Sequence, residues 1–301
     1  MKLLGVDLGG TKIEAAVLDG RGAVVWRERV PTPREDYPGT IDAIAALVSA
    51  AERATGPVSV GLGIPGALSP ATNAIKNANS TWLNGRPFQQ DLERALDRPV
   101  RLANDANCLA VSEATDGAGA GARVVFAVIL GTGTGGGVVV DGRLNIGANA
   151  IGGEWGHNSL PWPSTAHGEI PGPLCYCGRR GCIETFLSGP GLAADYARTS
   201  GMSGVTSEDV VTRAAAGESA ARACLELWED RLARGFASVI NLLDPDVIVA
   251  GGGLSKISRL YENVPSRWGR YVFSDRVVTR LVPAAHGDAS GVRGAAWLWK
   301  S

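Results

Sequence analysis

No run of this chain is long and apolar enough to cross a membrane. The best candidate, Val124–Leu130, falls far short of the ~18 residues a span needs. Asp7 breaks the only short apolar run near the N-terminus, so no secretory leader is expected. Neither sign of charge is in excess, with 29 Lys and Arg against 30 Asp and Glu. Nucleic-acid surfaces carry clustered excess basic charge, so neither a nucleic-acid nor a membrane partner is expected. Cysteine is scarce: five residues, an odd number that completes no disulfide framework. Cys108 and Cys224 lie in apolar helical contexts and read as small core residues. What remains is the balance of a folded protein, 45% hydrophobic and 20% charged over 301 residues, enough for two domains. A cytoplasmic enzyme is the expectation. The abundant residue is glycine, 41 in all, several in short clusters.

Met1–Asp7 reads as a buried strand ending in the turn Leu8-Gly9-Gly10-Thr11-Lys12. Strands Ile13–Leu18 and Ala23–Val30 follow, joined at Asp19-Gly20, which makes an antiparallel meander. The same order returns at Val124–Leu130, Gly131–Gly137, Val138–Val140, Asp141-Gly142 and Arg143–Ile146. Two similar units opening the two halves predict a duplicated α/β fold with two domains flanking a cleft. Ile41, Ile44, Ala45, Leu47 and Val48 give Thr40–Thr55 a helical face. Val58–Ile64 and Val100–Ala103 are strands, and Asn104–Ala114 is a helix. Leu232, Phe236, Val239, Ile240 and Leu243 form a second amphipathic helix, stopped by Asp244-Pro245-Asp246. Val247–Ala250 then runs as a buried strand into Gly251-Gly252-Gly253. Trp155–Gly181 has no period of either kind, and Cys175, Cys177 and Cys182 cluster at its end. An irregular excursion of that length needs a staple or a function.

Glycine clusters directly after strands present backbone N–H groups to phosphate oxygens, and they also serve plain tight turns. Gly131-Thr132-Gly133-Thr134-Gly135-Gly136 fits G-x-G-x-x-G, but a dinucleotide site requires a helix next, and Val138–Leu144 has strand composition. The protein-kinase reading lacks an HRD or DFG partner, and no G-x-x-x-x-G-K-[ST] occurs. Asp105 stands between a strand end and a helix start, where it serves either as an N-cap or as a catalytic carboxylate.

Asp7–Lys12, the loop Gly131–Gly137 and Cys175-Tyr176-Cys177-Gly178-Arg179-Arg180-Gly181-Cys182-Ile183-Glu184 together resemble the ROK family of bacterial sugar kinases, repressors and sugar-sensing regulators. The likeness runs to Gly291–Ala296, essentially the whole chain. It implies the duplicated actin/hexokinase-like (ribonuclease H-like) fold, with a smaller domain over 1–117 completed by helix 291–301, a larger one over 118–290, and a homodimer. It implies that Gly9, Gly10, Thr11 and Lys12 clamp the ATP phosphates together with Gly131, Thr132, Gly133, Thr134, Gly135 and Gly136. Gly252 and Gly253 then lie near the adenosine, and Asp7 holds Mg²⁺ through water. By the same likeness Asp105 is the base of phosphoryl transfer and Asn104 holds a neighbouring sugar hydroxyl. Gly66, Asn79, Glu154, His157 and Glu184 complete the sugar site.

The resemblance also implies one structural Zn²⁺ on His157, Cys175, Cys177 and Cys182. The C-x-C-x₄-C spacing departs from the common C-x₂-C knuckle, and His167, nearer Cys175, is the rival fourth ligand. Lys76–Gly85, Asn104–Glu113 and His286–Trp299 look closest to the fructokinase/mannokinase branch. That branch implies transfer to the 6-hydroxyl of D-fructose, and of D-mannose. Glucokinase and N-acetylhexosamine kinase share the zinc motif, Asp105 and both glutamates, and stand as alternatives. A non-catalytic sugar-sensing repressor would carry a DNA-binding module, for which a phosphate loop beginning at residue 7 leaves no room in front.

Overall fold

The computed structural model describes residues 2–300. In chain order the elements are β1 (Lys2–Leu8), β2 (Lys12–Leu18), β3 (Val24–Pro31), α1 (Tyr37–Thr55), β4 (Val58–Ile64), β5 (Ala67–Leu68), β6 (Ile75–Lys76), α2 (Phe88–Leu96), β7 (Val100–Asn104) and α3 (Asp105–Asp116). They continue with β8 (Val124–Leu130), β9 (Thr134–Val140), β10 (Arg143–Leu144), α4 (Glu184–Leu187), α5 (Gly189–Ser200), α6 (Ser207–Ala215), α7 (Ser219–Leu243), β11 (Val247–Gly251), α8 (Leu260–Trp268), β12 (Arg280–Pro283) and α9 (Ser290–Trp297). Among the described residues no helix is long and apolar enough to cross a membrane.

The chain divides into two compact units. The first takes the residues up to Gly121, Gly137–Gly153, and the residues from Ala285 onward; the second takes Ala122–Gly136 and Glu154–Ala284. Gly137–Gly153 thus groups with the first unit, where the sequence reading drew it in the second domain. The local reason is a close approach. A Cβ on Gly137 would stand 2.6 Å from the Ala106 carbonyl oxygen of α3, so only glycine lets β9 lie that near.

The first sheet has the order β3-β2-β1-β4-β7, with β2 antiparallel to both β1 and β3, and β1, β4 and β7 parallel. Helix α1 begins under Asp36, whose carboxylate accepts from the Gly39 N–H at 2.9 Å. Its buried residues Ile44, Leu47, Val48 and Ala51 recur at helical spacing and join Leu4, Val6, Val17 and Leu62 in one core. Helix α9 lies directly on bare backbone. Gly5 and Gly61 are register partners in β1 and β4, and a Cβ on either would overlap a carbonyl oxygen of α9, that of Val292 or Ala295.

The second sheet repeats the order: β10-β9-β8-β11-β12, with β8, β11 and β12 parallel. The duplicated α/β fold expected from the two meanders is therefore present. One expectation changes: β9 starts at Thr134, so the loop Gly131–Gly137 contracts to Gly131–Gly133, closed by Gly131 N–H to the Gly133 carbonyl at 3.0 Å. Thr134, Gly135 and Gly136 lie in strand. The long helix α7 buries Leu232, Phe236, Val239 and Ile240 as the periodicity predicts, and it begins earlier, at Ser219.

Candidate active site

In the first unit Asp7 stands near the end of β1, before the turn in which Gly9 N–H donates to the Lys12 carbonyl at 3.0 Å. Thr32 ties the turn down: its hydroxyl donates to the Gly9 carbonyl at 2.7 Å and its N–H to the Thr11 carbonyl at 3.1 Å. Gly10, Thr11 and Lys12 are exposed. The Asp7 carboxyl is half-buried beside two glycines; a Cβ on Gly63 would stand 3.6 Å from its Oδ1, and one on Gly291 3.0 Å from its Oδ2. Burial, with the charges of Asp105 and Glu14 behind it and Lys12 opposing, pushes the Asp7 pKa up to about 6. A carboxylate so short of compensating charge is a fitting place for a cation.

Asp105 opens α3, but the cap is its neighbour. Asn104 Oδ1 accepts from the Asn107 N–H at 2.7 Å, so the N-cap reading of Asp105 passes to Asn104. Asp105 accepts from the Ala106 N–H at 2.8 Å and, as a residue, is exposed. The surrounding chain still strips enough water from its carboxyl to raise its pKa, against the pull of that N–H. Beneath these carboxyls Cys108 is fully buried, its thiol pushed up by burial; Cys224 is buried too, and both are core residues as expected. Gly66, at φ +74°, packs against the backbone of Lys76 and Ala78, next to the exposed Asn79. Asn84, which the sequence reading passed over, pins that stretch by exchanging two 2.9 Å hydrogen bonds with Ala78.

In the second unit the contracted glycine turn opens onto a cavity of about 400 Å³, lined by Gly131, Thr132 and Gly253 together with Pro190, Ala193 and Ser207. Gly252, at φ +84°, turns the chain out of β11 there. The starts of α5 and α6 were not anticipated at this site, although the Thr206–Asp209 capping box was a readable signal. Thr134 Oγ1 is buried with no protein partner, which suits an incoming anionic oxygen. The Thr134 N–H, in contrast, is already given to Glu184 Oε2 at 2.8 Å, so Glu184 also braces the glycine turn.

His157 is set by its neighbour Trp155, which stacks on Phe236 at 5.5 Å and donates from Nε1 to the Gly235 carbonyl at 3.2 Å. Glu154 immediately precedes this turn, half-buried. His157, Cys175, Cys177 and Cys182 bring their ligand atoms within 4.8 Å of one another, and His167 is outside the group. His157 Nδ1 lies 3.6 Å from Cys175 Sγ, and Cys177 and Cys182 Sγ are also 3.6 Å apart. The edge of a tetrahedron with Zn–S of about 2.3 Å is about 3.8 Å, so the donor set and its spacing fit zinc. His157 Nε2 is 2.9 Å from the hydroxyl of Tyr176, an exposed ring that the sequence reading did not flag. The excursion before the cysteines is held by Glu169, fully buried between Arg231 and Arg234 of α7 at 2.8 Å from each. Burial alone would raise its pKa; the two guanidinium groups and the Ser164 N–H outweigh that and hold it at about 2.

The ROK family profile matches residues 3–301. An N-acetyl-D-glucosamine kinase of Yersinia pseudotuberculosis is 40% identical over 297 residues, 98% of this chain and 97% of that protein. Among solved structures, a ROK hexokinase from Thermus thermophilus matches with a TM-score of 0.87 at 34% identity, over 99% of this chain and 97% of its own. A ROK family glucokinase from Streptomyces griseus, solved in complex with glucose and AMPPNP, matches with 0.77 at 28% identity, over 99% of each chain. Fold, glycine turns and cysteine cluster thus agree with likeness along the full length, and the chain belongs to the ROK family.

Proposed function

We propose that this protein is an ATP-dependent hexose kinase that transfers the γ-phosphoryl group to the 6-hydroxyl of an N-acetylhexosamine. The observation that carries the kinase reading is Asp105, an exposed residue at the head of α3 whose carboxyl has a raised affinity for a proton. In the reaction the sugar 6-hydroxyl gives its proton to the Asp105 carboxylate as its oxygen bonds to phosphorus and the β–γ bridging oxygen leaves with ADP. As the family resemblance implies, Gly66, Asn79, Asn104, Glu154, His157 and Glu184 hold sugar hydroxyls. The turns at Gly9–Lys12 and Gly131–Gly133, with the Thr134 hydroxyl, take the phosphates. Gly252 and Gly253 take the nucleoside. Asp7 would hold Mg²⁺, which supplies charge neutralisation on the phosphates. Four protein donors on Zn²⁺ leave no open position, so that metal would brace the His157 loop and take no part in the chemistry. The homodimer belongs to the same proposal, read by light scattering.

The acetamido sugar is favoured by the relative at 40% identity, which is named an N-acetyl-D-glucosamine kinase. D-Fructose, with D-mannose, is the second reading and rests on the likeness of Lys76–Gly85 and Asn104–Glu113 to the fructokinase branch. The test is a coupled ADP assay over fructose, mannose, glucose, N-acetylglucosamine and N-acetylmannosamine at equal concentration. Asp105→Asn should lower kcat on the best sugar by about 10²-fold or more while sugar binding persists. Turnover close to wild type in that variant removes Asp105 as the base.

A further inference from the structure

Resting on the acetamido reading above, we propose that the cavity beside Asn104 is the N-acyl subsite, with Asn107 as its polar anchor. The cavity is about 370 Å³ and lies within the first unit. Its walls are apolar: Leu68, Pro70, Leu102 and Ile146, together with the small Ala67 and Ala148. Asn104 and Asn107 also line it. Asn104 caps α3, Asn107 lies in its first turn and gives its N–H to the Asn104 side chain at 2.7 Å, and Asn104 directly precedes the proposed base. Asn107 is only 8% exposed, and its Oδ1 has no hydrogen-bond partner.

A buried amide oxygen left unpaired at a pocket wall is costly unless a ligand supplies the missing donor. Sugar hydroxyls alone would waste the apolar walls. An acetamido group matches both features, since its methyl fills apolar space while its amide pairs with the Asn107 side chain once that side chain turns its amide to the cavity. It also carries a carbonyl, so it satisfies the Asn107 amide whichever end of that side chain faces it. A cavity of 370 Å³ exceeds what one acetyl group needs, so a longer acyl chain should be admitted. The subsite therefore selects for an N-acyl substituent and measures its length loosely.

The test uses the full chain with N-acetylglucosamine, N-propionylglucosamine and glucose. Wild type should turn over the N-propionyl sugar with kcat/KM within about tenfold of the N-acetyl sugar. Asn107→Leu should lower kcat/KM for N-acetylglucosamine relative to glucose by roughly 10–100-fold, the range for an unpaired buried polar group. Ala148→Phe, on an exposed stretch, should lower the same ratio by filling the cavity, and it serves even where Asn107→Leu fails to fold. Ratios unchanged in both variants, with N-acetylglucosamine still a substrate, overturn the subsite and leave the kinase reading standing. Turnover of fructose or glucose with neither N-acyl sugar accepted overturns the subsite and the acetamido choice together. Calorimetric titration with N-acetylglucosamine in the absence of nucleotide reads the subsite apart from catalysis. Wild type should bind several-fold tighter than either variant, and equal or absent binding overturns the subsite whatever the kinase assay gives.

Discussion

Replacing Asp7 by Asn should make the ligand-free protein more stable at neutral pH while impairing the use of Mg²⁺-ATP. The Asp7 carboxyl goes from an ordinary value of 3.8 to about 6 on folding. The folded chain therefore holds a proton on Asp7 that the unfolded chain has released between those two values. Stability contributed by this group is full below pH 3.8 and is lost as pH rises to 6. A shift of roughly two units at 1.36 kcal/mol each sets an upper limit of about 3 kcal/mol for the cost of the ionised carboxylate above pH 6. Asp7 is half-buried, and water on its open side screens part of this, leaving about 1–2 kcal/mol. Asn has the same shape and no charge, so Asp7→Asn should recover that amount. Urea unfolding of both proteins at pH 7.5, 6, 5 and 4, without nucleotide or metal, gives the measurement. The midpoint of the variant should lie above wild type at pH 7.5, and the gap should close steadily toward pH 4. A variant no more stable at pH 7.5, or a gap that ignores pH, refutes the argument from uncompensated charge.

Protein purified without chelator should contain one zinc per chain by elemental analysis, and Cys182→Ser should lose it; a metal-free wild type, or full occupancy in that variant, goes against the Cys₃His assignment. Gly61→Val should destabilise by about 3 kcal/mol or more, because its Cβ meets the Ala295 carbonyl of α9, and a thermal shift within a degree of wild type would contradict that packing.

The strands β1, β2, β4 and β8 were legible because each is a mostly apolar run next to a Gly or Asp turn, and the repeat of that rhythm exposed the duplication. The short helices α4–α6 were not. They carry only a few buried residues each; α4 has no side-chain cap, the Ser188 cap of α5 resembles an ordinary turn residue, and only the Thr206–Asp209 capping box of α6 was a readable signal. Chemistry-bearing residues close in sequence, such as the three cysteines or Asn104-Asp105, announce themselves. Partners far apart do not: nothing in the local sequence pairs Glu169 with Arg231 and Arg234, since that pairing exists only once α7 lies beneath the excursion. The glycine turn was overextended for a related reason. Gly135–Gly137 looks like loop composition, and only the nearness of α3 to Gly137 explains why a strand there dispenses with side chains. Asn107 was invisible as a site residue because an unpaired oxygen is a property of its surroundings.

The docking of α9 on the bare backbone of β1 and β4 sets a timetable for synthesis. At roughly 5–20 residues per second, about 10–40 s separate the emergence of β7 from that of α9. The second unit is complete at Ala284, just before α9, whereas the first unit waits through the whole interval with a glycine-floored trough along its sheet. Whatever occupies the trough in the meantime must leave without entering the hydrogen-bond ladder of β1 and β4. A nascent chain stalled before Ser290 would present that trough indefinitely, a natural handle for chaperones and proteases that distinguish a finished molecule from an unfinished one.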